Sequence, residues 1–304
     1  MDEFNGKAWY NPVDRKYYAG QSPNKYSGEL YWNFTTIEAK VVLEQVMCLA
    51  RPKYKLDQCC TIVNFPETVG YIDTATTLSA STKVRPLEEA EINTLGWDRT
   101  TFNLWKNVAH IVVEDEGQKA SSHDVINLNI QDCAGAIAAA RNTQIDTELQ
   151  TATAAAANGY WDAMSTSPNN DYDPMDDICG VLKTIIGNGY DQDLFLGCDP
   201  TVWCNFITNT FIRDLVGNSI AQIQGSGTYT LPGFPNVKAI VDPSFLDTSA
   251  FLGSKRATIL AEGPTEAARY RHEPKGYTGY IIRQWLQPEI VCTGGIREIT
   301  GVDA

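Results

Sequence analysis

The stretch DCAGAIAAARNTQIDTELQTATAAA, from Asp132 to Ala156, decides how the rest of the chain is interpreted. Its alanine-rich composition favours a helix, because alanine has the highest helix propensity, yet it holds few large apolar residues. With Ser121 or Ser122 as the N-cap and Asn158-Gly159 as the stop, the pattern predicts one helix from Asp124 to Ala157. A helix of that length would span about 50 Å at about 1.5 Å per residue, more than the usual width of a compact domain.

The apolar face of this helix is thin and is predicted to turn around the helix axis. The positions that carry it are Ile126, Ile130, Cys133, Ile137 and Ala140, followed by Ile145 and Leu149 on a different side. We therefore expect a strut that contacts several partners along its length. Its alanines would allow close approach of neighbouring backbone, and its Gln and Thr positions would face solvent.

The segment before the helix is predicted to form strands. Residues 59–116 are rich in β-branched and aromatic residues, which favour strands. Between two long strands lies KVRPLEEAEINTLGWDR (Lys83–Arg99), which is charged and has no core face. The sequence therefore predicts a projecting hairpin with a polar tip. In a monomer that tip would be a solvated loop, and in an oligomer it could pair with charges on a neighbour.

The N-terminal part of the chain, residues 1–34, lacks periodicity and holds many Tyr, Trp, Pro and Gly residues. We expect an extended arm that packs its aromatic side chains on a neighbouring surface. A helix should follow from Thr35 or Thr36 to about Leu49, with Leu49 on its apolar stripe and Pro52 closing it. The N-terminus lacks the apolar core of a signal peptide, so export by that route is not expected.

After the long helix the pattern predicts a small α/β unit. Asp173-Pro174 is typical of a helix start, and Gly187-Asn188-Gly189 of its end. DLFLGCDP predicts a buried strand, TVWCNFITNTFIRDLVG the next helix, and GSGTYTLPG a loop before another strand. From about Phe251 to Val302 strand-forming residues dominate.

Composition limits the class of protein. The chain has 304 residues and a formal net charge of -13. Proteins that bind DNA and recognise its sequence are normally basic, so this class is not expected. The sequence has no run of about 18 apolar residues, so it predicts no membrane-spanning helix. The eight Cys residues form no CxxC pair, which argues against a zinc site and favours buried, reduced thiols.

No motif argues for a reaction or a cofactor. Ser122, His123 and Asp124 are adjacent in a predicted helix, where successive side chains point about 100° apart, so they cannot form a catalytic triad. NNDYDPMDD (Asn169–Asp177) fails the EF-hand spacing, although a looser cation site at Asp171–Asp177 stays open. In GSGTYTLPG, Gly225 and Gly227 are not followed by a third glycine at the spacing of a phosphate-binding GxGxxG loop. The three His residues share no ligand spacing.

Four stretches, taken in order, carry a resemblance to a known family. They are IVVEDEGQKASSHDVINLNIQDCAGAIAAARNTQIDTEL (111–149), DDICGVLKTIIGNGYDQDLFLGCDPTVWCNFITN (176–209), LPGFPNVKAIVDPSF (231–245) and AARYRHEPKGYTGYIIRQWLQPEIVCTGGIREIT (267–300). They look like the spine helix with its preceding strand, the start of the axial domain, a later axial strand and the returning strands of Hong Kong 97-like major capsid proteins. The resemblance covers about residues 35–304.

The resemblance implies an α+β fold, the Hong Kong 97-like capsid fold, with five parts. They are an N-terminal arm and helix (1–58), an extended hairpin loop (59–110), a peripheral domain with the spine helix (111–175), an axial domain (176–247) and returning strands of the peripheral domain (248–304). The spine helix would cross the peripheral domain, the hairpin loop would lie over an adjacent subunit, and the axial domain would point at the centre of the capsomer.

The function implied is that of a structural subunit, not an enzyme, which self-assembles into the hexamers and pentamers of an icosahedral shell. The shell would enclose double-stranded DNA without reading its sequence, with portal, scaffold or cement proteins as partners, no cofactor and no membrane contact. The location implied is the virion capsid, after assembly in the host cytoplasm. The alternatives are an encapsulin-type nanocompartment shell and a soluble cytosolic α/β enzyme.

The hairpin and the arm supply the candidate contacts between subunits. Those in the hairpin are Lys83, Arg85, Glu88, Glu89, Glu91, Trp97 and Arg99, and those in the arm are Trp9, Tyr10, Tyr17 and Tyr18. The charged residues would pair with a neighbouring subunit, and the aromatic residues of the arm would pack on one.

Overall fold

The structure is a computed structural model that describes residues 8–11, 16–19, 41–75, 96–114, 125–161, 173–209, 212, 228–231, 234–272 and 276–303. Its contacts divide the chain into two compact units. The first comprises Met1–Lys53, Val108–Ala138 and Thr265–Gln284, and the second comprises Tyr54–Asn107, Ala139–Pro264 and Trp285–Ala304.

Among the described residues, helices separate runs of strands, the longest of which lie before the helix Val125–Leu149 and after the helix Pro200–Thr208. The described helices are α1 (41–50), α2 (Val125–Leu149), α3 (Pro174–Gly187) and α4 (Pro200–Thr208), with short 3-10 turns at Arg51–Lys53, Leu56–Cys59 and Thr293–Gly295. The strands before α3 are β1 (Ala8–Asn11), β2 (Lys16–Ala19), β3 (Thr61–Asn64), β4 (Val69–Ala75), β5 (Trp97–Asn103), β6 (Trp105–Glu114) and β7 (Ala154–Ala156). Those after α3 are β8 (Leu194–Cys198), β9 (Thr228–Leu231), β10 (Phe234–Val241), β11 (Ser249–Ser254), β12 (Thr258–His272), β13 (Tyr277–Ile290) and β14 (Ile296–Thr300).

The long helix α2 buries one regular stripe, so the predicted drift of its apolar face is wrong. The buried positions are Ile130, Cys133, Ala134, Ile137, Ala138, Arg141, Asn142, Ile145, Asp146 and Leu149. Their spacing of three and four residues is that of a single helix face. The stripe looked broken in the sequence because polar residues occupy three of its positions. Ala136 and Ala139, which we expected at close backbone contacts, are exposed instead.

The helix also ends earlier than predicted, at Leu149 instead of Ala157. The Thr151 hydroxyl donates to the carbonyl of Glu148 (2.7 Å), and Ala154–Ala156 then forms β7, parallel to β14. Pairing with a sheet satisfies the backbone groups of these alanines, and this tertiary gain outweighs their helix propensity.

A six-stranded sheet in the order β7-β14-β11-β8-β10-β9 is the centre of the second unit. On one face, side chains of α3 and α4 pack on the sheet, among them Ile178, Ile185, Val202, Phe206, Leu196 and Leu252. On the opposite face, the C-terminal half of α2 packs, with Ile145, Leu149, Phe195, Phe251 and Ile296 in one cluster. Burying each such side chain contributes about 1.5–3 kcal/mol, so this three-layer arrangement is the main core of the unit.

The start and end of α3 are those predicted. The carboxylate of Asp173 accepts a hydrogen bond from the backbone N–H of Met175 (2.9 Å), Pro174 occupies the first turn, and the helix ends at Gly187. Gly189 follows with a φ of 88°, a conformation that favours glycine. Helix α4 is shorter than predicted: it ends at Thr208, where Asn209 adopts an extended conformation and its side chain donates to the carbonyl of Trp161 (3.3 Å).

One expectation about the chain after α4 is wrong. Residues 228–231, predicted as a loop, form β9, which pairs antiparallel with β10. Strands β11 and β14 pair with each other, and β11 also pairs with β8, within the six-stranded sheet. All six residues of β11 are buried, so this strand needs a neighbour on each side, and β8 and β14 supply them.

A second sheet has four strands in the order β3-β12-β13-β6, with β3 parallel to β12. Near the N-terminus, β1 and β2 form an antiparallel pair where we expected a single extended arm. In α1, Val46 and Ala50 are buried, but Leu49, predicted on the apolar stripe, is 41% exposed.

The cysteines match the prediction only in part. All eight are free thiols, and Cys59, Cys60, Cys133 and Cys198 are buried. Burial raises the pKa of the Cys133 thiol to about 11, so it stays protonated at neutral pH. The remaining thiols are exposed at Cys48, Cys179 and Cys204 and half-buried at Cys292.

Candidate assembly surfaces

The predicted hairpin is confirmed in its described part. Strand β4 pairs antiparallel with β5 over seven positions, from Val69 opposite Asn103 to Ala75 opposite Trp97. Strand β5 therefore begins within the stretch that we took for the polar tip. Residues 76–95, which join the two strands, lie outside the described part of the chain.

The two faces of this hairpin differ in character, because side chains alternate along each strand. The inner face carries Ile72 and the fully buried Phe102, which belong to an apolar cluster with Phe65 and Leu104. The outer face is exposed and holds Val69 (57%), Tyr71 (59%) and Trp97 (66%). A row of large apolar side chains on an exposed face is typical of a surface that contacts another protein.

Polar contacts within the chain join β4 and β5 across the outer face. Arg99 in β5 pairs with Asp73 in β4 through two hydrogen bonds of 2.7 and 2.9 Å. Its guanidinium also lies over the ring of Tyr71, 4.2 Å from the ring centre. The hydrogen bond and charge of Arg99 lower the pKa of Asp73, so both groups are ionised at neutral pH. The two opposite charges of this pair thus lie on the same face of the hairpin as Trp97.

The predicted contact residues fall into three groups. Trp97 and Arg99 lie together on the outer face of the hairpin, whereas Lys83, Arg85, Glu88, Glu89 and Glu91 lie outside the described residues. In the arm, Trp9 is paired with Tyr18 and Tyr10 with Tyr17 across β1 and β2. The role of all these residues in subunit contacts stays a prediction.

A buried ion cluster, missed in the sequence, centres on Arg141 of α2. Its guanidinium donates to both carboxylate oxygens of Asp57 (2.7 and 2.9 Å) and to those of Glu262 in β12 (3.1 and 3.3 Å). The ring of Tyr54 lies 4.5 Å from the guanidinium carbon. Only 1% of the Arg141 side chain is exposed. The cluster ties α2 to the turn before β3 and to β12.

Charges and burial compete in this cluster. Burial raises the pKa of Asp57, and the hydrogen bond and charge of Arg141 offset part of that rise. For Arg141, burial lowers the pKa, but the hydrogen bonds and charges of Asp57 and Glu262 outweigh it and raise the pKa above its usual range. The sequence does contain a sign that Arg141 is buried. It lies four residues from both Ile137 and Ile145, which places it on the apolar stripe of the helix.

The acidic stretch was considered above as a cation site. Two of its described aspartates, Asp173 and Asp177, make hydrogen bonds within the fold instead. Asp177 is buried and accepts from the backbone N–H (3.1 Å) and side chain (2.7 Å) of Asn158 and from the indole N–H of Trp161 (3.1 Å). Asp173 caps α3. Across the described residues, no group of three or more His, Cys, Asp or Glu could hold a metal ion.

Two histidines lie against tyrosines in the first unit. His272 stacks on Tyr277 with ring centres 5.1 Å apart, and His110 contacts Tyr270 at 5.4 Å. Neither arrangement joins a nucleophile to a base. None of the helices described above has both the length and the apolar character that a membrane crossing requires.

Known proteins resemble this chain in fold but not detectably in sequence. No protein-family model matches the chain, and no curated protein matches it significantly. Solved structures do match. The capsid of an empty GTA particle is 15% identical, covers 82% of this chain and 90% of its own, and has a TM-score of 0.59. The structure from Mycobacterium phage Che8 is 12% identical, covers 78% of this chain and 86% of its own, and has a TM-score of 0.56. A virus-like particle from Pyrococcus furiosus is 8% identical, covers 84% of this chain and 96% of its own, and has a TM-score of 0.54.

The fold is therefore the one found in the major capsid proteins of tailed phages and in GTA capsids, the Hong Kong 97-like capsid fold. This confirms the α+β class and the fold resemblance that the sequence predicted. Identities of 8% to 15% establish the shared fold, while the division into five parts stays a prediction.

Proposed function

We propose that this chain is the structural subunit of a closed icosahedral shell, a major capsid protein that self-assembles into hexamers and pentamers. The observation that carries the proposal is the fold, since capsids of phages and GTA particles have similar structures that match about four fifths of this chain. The exposed apolar face of the hairpin gives such a subunit a surface for its neighbours. The role is structural rather than enzymatic.

The contents and partners of the shell are part of the proposal. We expect double-stranded DNA inside a virion capsid, held without sequence-specific contacts. The net charge of -13 supports this, because an acidic subunit repels the phosphate backbone of DNA. Portal, scaffold or cement proteins would complete the particle, with assembly in the host cytoplasm.

An encapsulin-type nanocompartment is the second candidate, favoured by the match to the virus-like particle from Pyrococcus furiosus. The two candidates share a fold and differ in cargo. Particles recovered from the native source and treated with nuclease would retain protected double-stranded DNA in the first case and a protein cargo in the second. The cytosolic enzyme alternative gains no support from the matched structures.

The first experiment is electron microscopy and light scattering of the purified chain. We expect closed particles of uniform diameter, because the proposed function requires contacts among many copies. A monomer or dimer under every assembly condition tried would contradict the proposal.

The hairpin tip supplies a second experiment. Because β5 begins at Trp97, the segment to replace is residues 83–95, with a Gly-Ser linker of equal length. We expect a folded subunit with unchanged circular dichroism and a much lower yield of particles, since the charges of the tip would no longer reach a neighbour. A linker of the same length that retains Lys83, Arg85, Glu88, Glu89 and Glu91 is the control. Normal particle yield without those charges would argue against the tip as a contact.

A further inference from the structure

A groove of about 630 Å³ lies in the second unit, over the parallel strands β8 and β10. Its floor includes Phe195 and Ile240, which are each 2% exposed and belong to the apolar cluster of that unit. Ligand sites in proteins have volumes of about 300–1,000 Å³ and largely apolar linings. The groove therefore has the size and the floor of a binding site.

The two segments that frame one side of the groove are tied to each other. The hydroxyl of Ser254 donates to the carbonyl of Gln192 (2.7 Å), and the backbone N–H of Lys255 donates to the carbonyl of Asp193 (3.0 Å). Asp193 has a φ of 51°, a left-handed conformation that is uncommon for residues other than glycine. These bonds fix the rim before a ligand arrives, which lowers the entropy cost of binding.

The polar side chains of the groove are not used by the fold. Lys238 lies opposite Phe195 in the register of β10 and β8, and Lys255 follows the end of β11. Asn236 and Gln58 line the groove with them. In the part of the chain that the structure describes, none of these four polar side chains makes a hydrogen bond or an ion pair. Their donors are thus available to a ligand.

The charges of the groove favour one class of ligand. Lys238 and Lys255 supply two ammonium groups, while Asp191 and Asp193 lie on the rim. Arg256 lies 3.8 Å from Asp193 and offsets its charge. The rim carboxylates would repel the phosphates of DNA, whose binding depends on positive charge.

A peptide with acidic side chains satisfies all of these groups. Its carboxylates can pair with the two ammonium groups in charge-assisted hydrogen bonds. Its backbone carbonyls can accept from the two side-chain amides, and an apolar side chain can cover the floor.

We propose that this groove binds an acidic peptide segment of a partner protein, with carboxylates of the peptide paired to Lys238 and Lys255. The site belongs to a single subunit, so the inference goes beyond the proposed function and does not depend on it.

The first test measures peptide binding to the full chain by fluorescence anisotropy. The probe is a labelled hexapeptide of alternating Glu and Leu with blocked ends, and the control replaces each Glu by Gln. We expect the Glu peptide to bind about tenfold more tightly or better, because its hydrogen bonds to the lysines are charge-assisted. Equal binding of the two peptides, or no binding of the Glu peptide, would overturn the proposal.

The second test removes the ammonium groups. Lys238→Met and Lys255→Met should each weaken binding of the Glu peptide about threefold or more, and the double variant about tenfold or more. Lys183→Met is the matched control, because Lys183 is exposed on α3 and does not line the groove. Unchanged melting temperatures would show that all variants fold. An equal loss for the control would mean attraction to the whole surface and would overturn the site.

Carbodiimide coupling locates the peptide without any substitution. The reagent activates a carboxylate of the bound peptide, and the amine of a neighbouring lysine displaces it to form an amide. We expect mass spectrometry to find the peptide on Lys238 or Lys255. Coupling that is equally frequent on Lys183 would contradict the assignment.

A competition experiment identifies the source of the segment. The stretch Leu87–Ile92 of this chain, LEEAEI, is acidic and is tested as an unlabelled peptide. If it displaces the probe more strongly than the unlabelled hexapeptide does, the groove takes a second copy of this chain, and the assignment to a partner protein is overturned.

The outcomes for the groove and for the shell are independent. A chain that binds the Glu peptide through the two lysines but never forms particles would support the groove and overturn the proposed function. Particles formed by a chain that binds neither peptide would overturn the groove and leave the proposed function standing.

Discussion

Arg141 joins α2 to the 3-10 turn before β3 and to β12 through two ion pairs. Its guanidinium is the partner of two carboxylates, Asp57 and Glu262, whose side chains are 16% and 21% exposed. Arginine suits this position because its planar fork can bind two carboxylates at once. Such a cluster need not add much stability over an apolar one, but removing one member leaves charges without a partner.

The prediction for this cluster is a large loss of stability. We expect Arg141→Met to lower the free energy of unfolding by about 3–5 kcal/mol, because both carboxylates lose their partner. Arg99→Met, which breaks an exposed pair, should cost about 1 kcal/mol or less and is the matched control. Urea denaturation of the unassembled subunits measures both. Equal losses for the two variants would show that the Arg141 cluster is not a structural tie.

Asp146 lies on the same stripe of α2, and its side chain is buried. One carboxylate oxygen accepts from the side chain of Gln150 (2.6 Å). Burial raises the pKa of Asp146 to about 6, and the charge of Glu298 adds to the rise. Because the folded pKa lies above the unfolded value, the folded state binds the proton more tightly. The resulting stability is fully present below about pH 4 and is lost as the pH rises through about 6.

A substitution tests that sign. Asp146→Asn keeps an acceptor for Gln150 and carries no charge, so it should raise the free energy of unfolding at pH 7.5 by up to about 2–3 kcal/mol. At pH 4 the gain should shrink toward zero, since the aspartate of the wild type is then largely protonated in the folded state. Urea denaturation at the two pH values is the measurement, and a gain that does not change with pH would contradict the assignment.

Among the elements, the β4–β5 hairpin separates folding from assembly most clearly. Its inner face belongs to an apolar cluster, and its outer face exposes Tyr71 and Trp97. The sequence predicted the hairpin because its strands are rich in β-branched and aromatic residues on either side of a charged stretch. It could not tell which face is outer, because both faces carry large apolar residues. The packing of Phe102 decides that.

The hairpin prediction uses one residue from each face. Trp97→Ala should leave the stability of the subunit within about 0.5 kcal/mol of wild type, because its side chain is exposed, and should reduce particle yield. Phe102→Ala removes a fully buried ring and should cost about 3–5 kcal/mol in the unassembled subunit. Denaturation and light scattering on the same samples measure the two effects. Unchanged particle yield for Trp97→Ala would remove this face from the candidate contacts.

The whole molecule carries a net charge of -13, so identical copies repel one another at long range. Salt screens such repulsion, with a Debye length of about 10 Å at about 0.1 M. We expect particle formation to rise as NaCl increases from about 0.02 to about 0.5 M, measured by light scattering at fixed protein concentration. A fall in assembly with salt would mean that attraction between opposite charges, such as those of the hairpin tip, dominates the contacts.

The sequence by itself determined the elements whose signals are local. The Asp173-Pro174 cap, the end of α3 at Gly187, the buried strand β8 and the hairpin strands follow from capping, turn and alternation patterns within a few residues. The order of these elements carries the resemblance to a known family from which the fold was predicted. Local patterns suffice there because the side chain or backbone group that fixes each boundary is a near neighbour in the chain.

Only the tertiary structure decided where the long helix ends and which of its residues form a continuous buried stripe. Ala154–Ala156 leaves the helix because β14, more than a hundred residues away in the chain, offers its backbone a partner. The stripe of α2 is continuous because Arg141 finds Asp57 and Glu262, which are also distant in sequence. An isolated alanine favours a helix, and an isolated arginine favours water. Hydrogen bonds from remote segments reverse both preferences, and no pattern within the stretch from Asp132 to Ala156 contains them.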